Sequence, residues 1–176
     1  MDYFKVIVVG DIAVGKTTLI GRFVTGSFSR EYKATIGVDI FTKRLTADRE
    51  RQVSLQLWDI AGQTSFQQFR QSFFTKARGA LLVYDLTVPS SLENIQKSWI
   101  VDIERITGQI PLVLIGNKVD LKTSNTITPK EIVSVLMKNP NVKAHFHTSA
   151  LTGENVENAF QTLVSMIIDS LNPLIE

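Results

Sequence analysis

The chain has 176 residues, of which 44% are hydrophobic and 20% charged, and this balance predicts one globular domain spanning residues 1–176. The net charge of +2 argues against a nucleic-acid partner. The sequence has no cysteine, which excludes disulfides, thiolate metal sites, a thiol nucleophile and prenyl or palmitoyl attachment within it. No apolar run approaches the ~20 residues that span a bilayer, and residues 1–5 lead directly into a strand pattern. We therefore expect a cytoplasmic protein without a signal peptide.

Strand-like and helix-like segments alternate along the chain, which predicts an α/β fold with a largely parallel sheet. The alternating pattern of 52–58, joined to 38–46 by a polar turn at 47–50, predicts an antiparallel hairpin. The other predicted strands are 4–9, 79–85, 110–116 and 143–147, and the predicted helices lie at 16–24, at 90–106, from 128 onward and at 156–167. The expected fold is therefore a six-stranded, mostly parallel sheet with one antiparallel edge strand and helices on both faces.

Two helix starts carry the capping-box pattern, a hydroxyl followed three residues later by a glutamate. Ser90 with Glu93 is the first, and Thr128 with Glu131 is the second. Pro129 suits the first position of the second helix. In the first helix an apolar stripe follows, made of Leu92, Ile95, Trp99, Ile103 and Ile106.

A glycine-rich motif follows the first predicted strand. Residues 10–17 read Gly-Asp-Ile-Ala-Val-Gly-Lys-Thr, which fits the phosphate loop G-x-x-x-x-G-K-[ST]. Between a strand and a helix, such a loop cradles phosphates with its main-chain N–H groups. We expect Lys16 to reach the β- and γ-phosphates and the Thr17 hydroxyl to ligate Mg²⁺. A glycine turn with an incidental lysine is the alternative interpretation.

A second motif indicates which base is bound. Asn117, Lys118 and Asp120 follow the predicted strand 110–116, at the sheet edge where open α/β folds bind ligands. A carboxylate such as Asp120 can accept hydrogen bonds from the ring N–H and the amino group of guanine. Adenine presents the wrong donor pattern at that edge and would leave buried groups unpaired. An ordinary polar turn is the alternative.

Acidic and amide side chains follow the strand 52–58. Asp59 is suited to be a second ligand at a magnesium site, binding the ion through water. Capping of the next turn is the alternative interpretation. Gly62 can offer its N–H to a γ-phosphate, and Gln63 can orient the attacking water. These residues predict hydrolysis of the bound nucleotide, with Gln63 and Lys16 as the catalytic pair.

Taken together, these segments resemble the Ras superfamily of small GTPases, and the Rab branch most. The similar segments are Tyr-Lys-Ala-Thr-Ile-Gly-Val-Asp at 32–39, Trp-Asp-Ile-Ala-Gly-Gln at 58–63 and Gly-Ala-Leu-Leu-Val-Tyr-Asp at 79–85. The resemblance covers roughly residues 4–168. It implies a P-loop NTPase fold, GTP or GDP with Mg²⁺ as cofactors, slow hydrolysis, and a molecular switch in vesicle trafficking. It also implies that residues 27–37 and 60–76 are the two switch segments.

The resemblance assigns further residues to the nucleotide. Phe28 would pack on the guanine face, Thr35 would ligate Mg²⁺ and sense the γ-phosphate, and the Ala150 N–H would contact the guanine oxygen. The implied metal ligands are Thr17, Thr35 and Asp59. The implied nucleotide-binding residues are Asp11, Ala13, Val14, Gly15, Lys16, Thr17, Thr18, Phe28, Tyr32, Thr35, Gly62, Asn117, Lys118, Asp120, Ser149, Ala150 and Leu151.

Three departures from the Rab pattern stand out. Residues 64–66 read Thr-Ser-Phe where Rabs have Glu-Arg-Phe, which removes a charged pair that helps engage exchange factors. Ile12 and Ala13 are bulkier than the glycines of many relatives, and Ile12 is expected to crowd Gln63 or an incoming arginine. Leu151 replaces a lysine, so that side chain's role is not carried over.

The resemblance also implies protein partners: an exchange factor, a GTPase-activating protein that supplies an arginine, and effectors, all through the switch segments. Ile40, Trp58 and Phe73 occupy the positions of the apolar patch through which Rabs meet effectors, with core packing as the alternative. Rabs end in a prenylated tail, and this sequence has no cysteine to carry it. Peripheral membrane association would therefore need a tail outside this sequence or a partner.

Two other functions compete with this interpretation. A GTP-locked binding scaffold with negligible hydrolysis is favoured by Ile12 and disfavoured by Gln63. A P-loop nucleotide kinase would need a lid with clustered arginines, which the sequence does not show. His145 and His147 alternate along a predicted strand and are interpreted as strand residues rather than metal ligands.

Overall fold

The computed structural model describes residues 1–28, 35–47, 50–121 and 127–171. Six β-strands form one sheet: β1 (Asp2–Val9), β2 (Val38–Thr46), β3 (Gln52–Ile60), β4 (Gly79–Asp85), β5 (Leu112–Asn117) and β6 (Val142–His147). Tyr32 and parts of the predicted turn 47–50 and of the segment 27–37 lie outside the described residues. Every predicted strand is present, with ends that move by two residues or fewer.

The strands are arranged in the order β2-β3-β1-β4-β5-β6. β2 pairs with β3 in the antiparallel sense, and every other neighbouring pair is parallel. The predicted fold class, including the antiparallel edge strand, is therefore confirmed. The chain leaves β1 toward β3 on one side and later toward β4 on the other, which opens a ligand crevice beyond the carboxyl end of β1.

Helices cover both faces of the sheet. α1 (Lys16–Thr25) and α6 (Val156–Leu171) pack on one face, where the Phe23 and Phe160 rings stack with centroids 4.0 Å apart. The other face carries a 3₁₀ turn (Thr64–Phe69), α2 (Arg70–Phe74), α3 (Pro89–Asn94), α4 (Ile100–Thr107) and α5 (Pro129–Lys138). Within the described ranges, no helix has both the length and the apolar character needed to cross a membrane.

The two predicted capping boxes have different outcomes. At α5 the box is confirmed, because Thr128 accepts from the Glu131 N–H and Glu131 accepts from the Thr128 N–H. At α3 the prediction is wrong, since the helix begins at Pro89 and Val88 precedes it without a side-chain cap. A residue before proline is driven into the extended conformation, so the helix cannot start earlier, and Ser90 already lies inside it.

The predicted helix 90–106 is interrupted by a π-helical turn, Ile95–Trp99, in which the Ile100 N–H donates to Ile95 O. Leu92, Ile95, Trp99 and Ile103 of the predicted stripe are buried all the same. A π turn adds one residue to the helical repeat and is common at functional sites. The extra residue changes which polar side chains lie on the same face of the helix.

His145 on β6 contacts Tyr84 on β4, its Nε2 lying 2.9 Å from the tyrosine hydroxyl. Burial lowers the pKa of His145 to about 4, and nearby His147 adds to the decrease. Between about pH 6.5 and pH 4 the unfolded chain therefore binds more protons at this residue, so its contribution to stability is lost as pH falls.

We predict that urea unfolding will show a larger loss of stability between pH 7 and pH 5 for the wild-type protein than for His145→Asn. The substitution keeps a polar side chain at the site but removes the group that titrates in this window. Equal losses in the two proteins would contradict the assignment of this pH dependence to His145.

Candidate functional site

The phosphate-loop residues lie between β1 and α1, where the sequence predicts them. Gly10 has φ +146° and Gly15 has φ +99°. A Cβ on Gly10 would overlap the Val83 carbonyl oxygen, and one on Gly15 would overlap the Asn117 amide. Both positions therefore require glycine for steric and conformational reasons. Thr18, the second threonine of α1, is half-buried just beyond the loop.

Lys16 is folded back across the loop. Its side chain is buried, with a residue exposure of 6%, and its Nζ donates to Gly10 O at 2.9 Å and to Asp11 O at 2.7 Å. Burial lowers the pKa of Lys16 to about 8, although the carboxylates of Asp59 and Asp11 oppose the decrease. The ammonium group thus lies inside the loop and spans the space in which a phosphate would be cradled.

Three oxygen-bearing side chains meet beside Lys16. The Thr17 hydroxyl donates to Asp59 Oδ2, and the Thr35 hydroxyl lies 2.9 Å from Thr17 Oγ1 and donates to the same Asp59 oxygen at 3.2 Å. Burial raises the pKa of Asp59, while the Thr17 hydrogen bond and the charge of Lys16 act in the opposite direction. These are the residues that the family resemblance assigns to the metal.

The donor set of this cluster fits Mg²⁺. Asp59 is fully buried, and its Oδ1 has no hydrogen-bond partner among the described residues. A buried carboxylate oxygen without a partner is unfavourable in a protein interior, and a hard cation or its water shell would satisfy it. The cluster has one carboxylate and two hydroxyls, and the described ranges contain no group of three or more His, Asp or Glu side chains placed to hold a metal.

The base motif is tied to the phosphate loop. Asn117 donates to Val14 O at 3.0 Å and accepts from the Thr148 hydroxyl at 3.1 Å. Lys118 donates to Ala13 O at 2.7 Å and forms a 2.6 Å ion pair with Asp85. Two neighbouring side chains therefore hold two consecutive carbonyls of the loop and fix its distance from β5.

Asp120 is held by the loop that follows β6. The Ser149 hydroxyl donates to Asp120 Oδ1 and accepts from the Thr152 N–H at 3.1 Å. Ala150 is buried next to it, whereas Leu151 is exposed. Phe28 is half-buried at the end of a described segment. Hydrogen bonds thus join the Asp120 carboxylate to the loop that follows β6, so two of the segments predicted to hold guanine lie side by side.

The second switch segment touches the phosphate loop directly. A Cβ on Gly62 would lie 2.5 Å from Ile12 N and 2.7 Å from Gly10 O, so only glycine permits this approach. The neighbouring Gln63 is half-buried and lines an open cavity of about 710 Å³ together with Ile12, Val88 and Asn94. The predicted catalytic side chain therefore stands next to the loop that would hold the γ-phosphate.

A family model for the Ras family matches residues 5–169. This chain belongs to the Ras family. Among curated proteins, it is 40% identical to Ras-related protein Rab-7a of Dictyostelium discoideum over 90% of the chain and 79% of that protein. It is 40% identical to the Ypt/Rab-type GTPase YPT7 of Saccharomyces cerevisiae over 92% and 80%, and 37% identical to Ras-related protein Rab-1 of Theileria parva over 97% and 77%. The chain is thus a Rab-like small GTPase and GTP hydrolase.

Four further residues of this GTPase support the site and were not predicted from the sequence to do so. Asn94 and Trp99 donate to the Asp11 carboxylate at 2.7 Å and 3.0 Å. The Asp11 side chain therefore anchors the phosphate loop to this helix, while the Asp11 main chain forms part of the loop. Asp85 holds Lys118, and Thr148 orients Asn117. Only Asp85 had a signal in the sequence, because it ends a buried strand as Asp59 does.

The proposed effector patch is neither fully exposed nor fully buried. Ile40 is 54% exposed, which disfavours simple core packing for it. Trp58 and Phe73 are half-buried, and the Lys5 ammonium lies 3.5 Å from the centroid of the Trp58 ring. The rings of Phe66, Phe69 and Phe73 follow one another along the second switch segment, with successive centroids 6.3 and 6.2 Å apart. An apolar row therefore crosses the second switch segment.

Proposed function

We propose that residues 1–176 form a single G domain that binds GTP with Mg²⁺ and hydrolyses it slowly to GDP. In this proposal the domain switches partners in membrane trafficking. The observation that carries the magnesium-dependent switch is the cluster of Thr17, Thr35 and Asp59, because it joins the phosphate loop, the first switch segment and β3 at one point. When bound, Mg²⁺ neutralises charge on the β- and γ-phosphates. Loss of the γ-phosphate would release Thr35 and Gly62 and let both switch segments relax.

The chain's own residues account for the proposed hydrolysis. Gln63 orients a water for in-line attack on the γ-phosphorus, and Lys16 with the loop N–H groups stabilises charge on the transferring oxygens. Among the described residues that line the cavity beside Gln63, none is an arginine. An activating protein would therefore supply the arginine. The expected intrinsic rate is on the order of 10⁻⁴ s⁻¹ or lower.

Two measurements test the proposed function. Release of fluorescent GDP should be at least about tenfold faster in EDTA than with Mg²⁺, because the metal ties the nucleotide to the Thr17 cluster. An equal release rate would contradict the metal site.

For the trafficking role, Gln63→Leu expressed in the cells of origin should alter the delivery of a fluid-phase marker. Unchanged delivery would contradict that role.

Relatives named as Rab proteins support the partner classes. The apolar row of Phe66, Phe69 and Phe73 with Ile40 offers a surface that changes with the second switch segment, as effectors require. An exchange factor that relies on the Glu-Arg pair of other Rabs would find Thr64 and Ser65 here. We therefore propose that effectors are recognised in the Rab manner and that the exchange factor uses other contacts.

The GTP-locked scaffold remains a second candidate, because Ile12 is 55% exposed and lines the same cavity as Gln63. We predict that Ile12→Gly raises the single-turnover rate of GTP hydrolysis by about tenfold, equivalent to ~1.4 kcal/mol of barrier. The reason is that the substitution clears a branched side chain from the path of water and of an incoming arginine. Unchanged intrinsic and activator-stimulated rates would contradict the crowding by Ile12.

A further inference from the structure

Arg70 is the first residue of α2, in the second switch segment, and it is buried. Its residue exposure is 5%, although Gln68, Phe69, Gln71 and Ser72 around it are exposed. The guanidinium Nη1 donates to Asp102 Oδ2 at 2.6 Å and to Ser98 Oγ at 2.8 Å. Its carbon lies 3.7 Å from the centroid of the Trp99 ring. A single side chain thus connects α2 to α4 by an ion pair, and to the π-helical turn before α4 by a hydrogen bond and a cation–π contact.

The residue beneath Arg70 is tied to the phosphate loop. The Trp99 indole N–H donates to Asp11 Oδ1 at 3.0 Å, and the Asn94 amide donates to Asp11 Oδ2 at 2.7 Å. Trp99 lies five positions after Asn94, so an α-helix would turn the two residues to different faces. The π-helical turn Ile95–Trp99 brings both to the same carboxylate. The irregular turn therefore serves a contact with the phosphate loop.

These contacts close a ring around Gln63. At one end of the second switch segment, the Gly62 backbone packs on Ile12 and Gly10 of the phosphate loop. At the other end, Arg70 reaches the same loop through Trp99 and Asp11. Gln63 and the 3₁₀ turn Thr64–Phe69 lie between the two attachments. Fixing both ends of a short segment limits the positions that Gln63 can occupy.

We propose that Arg70 is a positioning residue for GTP hydrolysis. It anchors the far end of the second switch segment and so restricts the positions that the Gln63 side chain can occupy. The proposal rests on the proposed function, in which Gln63 orients the attacking water. Asp102 also pairs with Arg105 at 2.9 Å, but the Arg105 side chain is 65% exposed and this ion pair joins two residues of α4. Arg105 therefore provides a matched control, a second arginine on the same carboxylate without the link to α2.

Hydrogen exchange tests the anchor without depending on turnover. It is measured by mass spectrometry with and without GDP for wild type, Arg70→Met and Arg105→Met. Arg70→Met should speed exchange across residues 64–69 and also in residues 11–14, because the phosphate loop loses the support that reaches it from Arg70 through Trp99. Arg105→Met should change neither segment. Faster exchange confined to residues 70–74, or equal effects of the two variants, would overturn the proposal.

Single-turnover hydrolysis tests whether Arg70 acts through Gln63. Arg70→Met should lower the rate about tenfold in the wild-type background and by less than about twofold in a Gln63→Ala background. An equal loss in both backgrounds would mean a general structural role and would overturn the proposal. Failure of the wild-type protein to bind GTP would instead contradict the proposed function, and the exchange data would still decide the anchor.

A second variant guards against misfolding of Arg70→Met. Combining Arg70→Met with Asp102→Asn removes both charges and nearly keeps the volume, so no uncompensated charge is left buried. This double variant should fold, as judged by its thermal unfolding, and should repeat the exchange and hydrolysis pattern of Arg70→Met. Arg70→Lys keeps the charge but lacks the planar fork, and should restore only part of the rate. Wild-type behaviour of the folded double variant would overturn the proposal.

Discussion

Replacing Asp120 by alanine is expected to weaken GTP binding by about 10³-fold or more, because the ring N–H and the amino group of guanine would be left buried without acceptors. The structure supports this expectation by the way Asp120 is held. Ser149 donates to one carboxylate oxygen, which restricts the rotation of the group and leaves the other oxygen available to a ligand. Titration of a fluorescent GTP analogue into wild type and variant measures the difference.

Ser149→Ala is the matched control for Asp120→Ala. It removes the hydroxyl that orients Asp120 but leaves the carboxylate, so we expect a loss of about tenfold, in line with one hydrogen bond to a charged group. Thermal unfolding without nucleotide should be nearly the same for both variants. An Asp120→Ala protein that binds GTP as tightly as wild type would contradict the assignment of the base site.

Replacing Gln63 by leucine is expected to lower the single-turnover rate of GTP hydrolysis by about 10²-fold while leaving GTP affinity within about twofold. The physical reason is that leucine fills a similar volume but cannot hydrogen-bond the attacking water. Gln63 lines the cavity beside Ile12, and Gly62 brings its backbone onto the phosphate loop. The rate is measured by following phosphate release from preloaded protein after Mg²⁺ is added.

Gln68→Leu provides the control for Gln63→Leu. Gln68 lies in the 3₁₀ turn Thr64–Phe69 that directly follows Gln63, but it is exposed. We expect Gln68→Leu to hydrolyse GTP at the wild-type rate. Equal rates for wild type and Gln63→Leu would favour the GTP-locked scaffold over the switch, since Gln63 would then contribute nothing to turnover.

The sequence predicts the sheet well because its signals are local. A polar turn between two alternating segments indicates the β2–β3 hairpin, and buried apolar runs indicate β4 and β5. The helix after β4 was harder to predict. Its apolar stripe is compatible with one continuous α-helix, whereas the structure interrupts it at Ile95–Trp99. The π turn satisfies a contact with Asp11, far away in the chain, and periodicity carries no information about that contact.

The residues of the candidate site could likewise be predicted only where they belong to a contiguous motif. Lys16 and Thr17 belong to one contiguous motif, and Asn117 and Asp120 to another, so local spacing is enough to indicate them. The supports of the site are pairs between distant segments. Arg70 with Asp102 and Asp11 with Trp99 are examples in which neither residue shows a pattern until the fold brings the two together.

Guanine-nucleotide binding by the wild-type protein is the measurement to make first. A fluorescent GDP analogue is bound with and without Mg²⁺ and then competed with GTP, GDP and ATP. We predict tight binding that weakens when Mg²⁺ is removed and that yields to GTP and GDP but not to about a 10³-fold excess of ATP. Displacement by ATP at concentrations similar to GTP, or no binding at all, would contradict a guanine-nucleotide switch built on Lys16, Asp59 and Asp120.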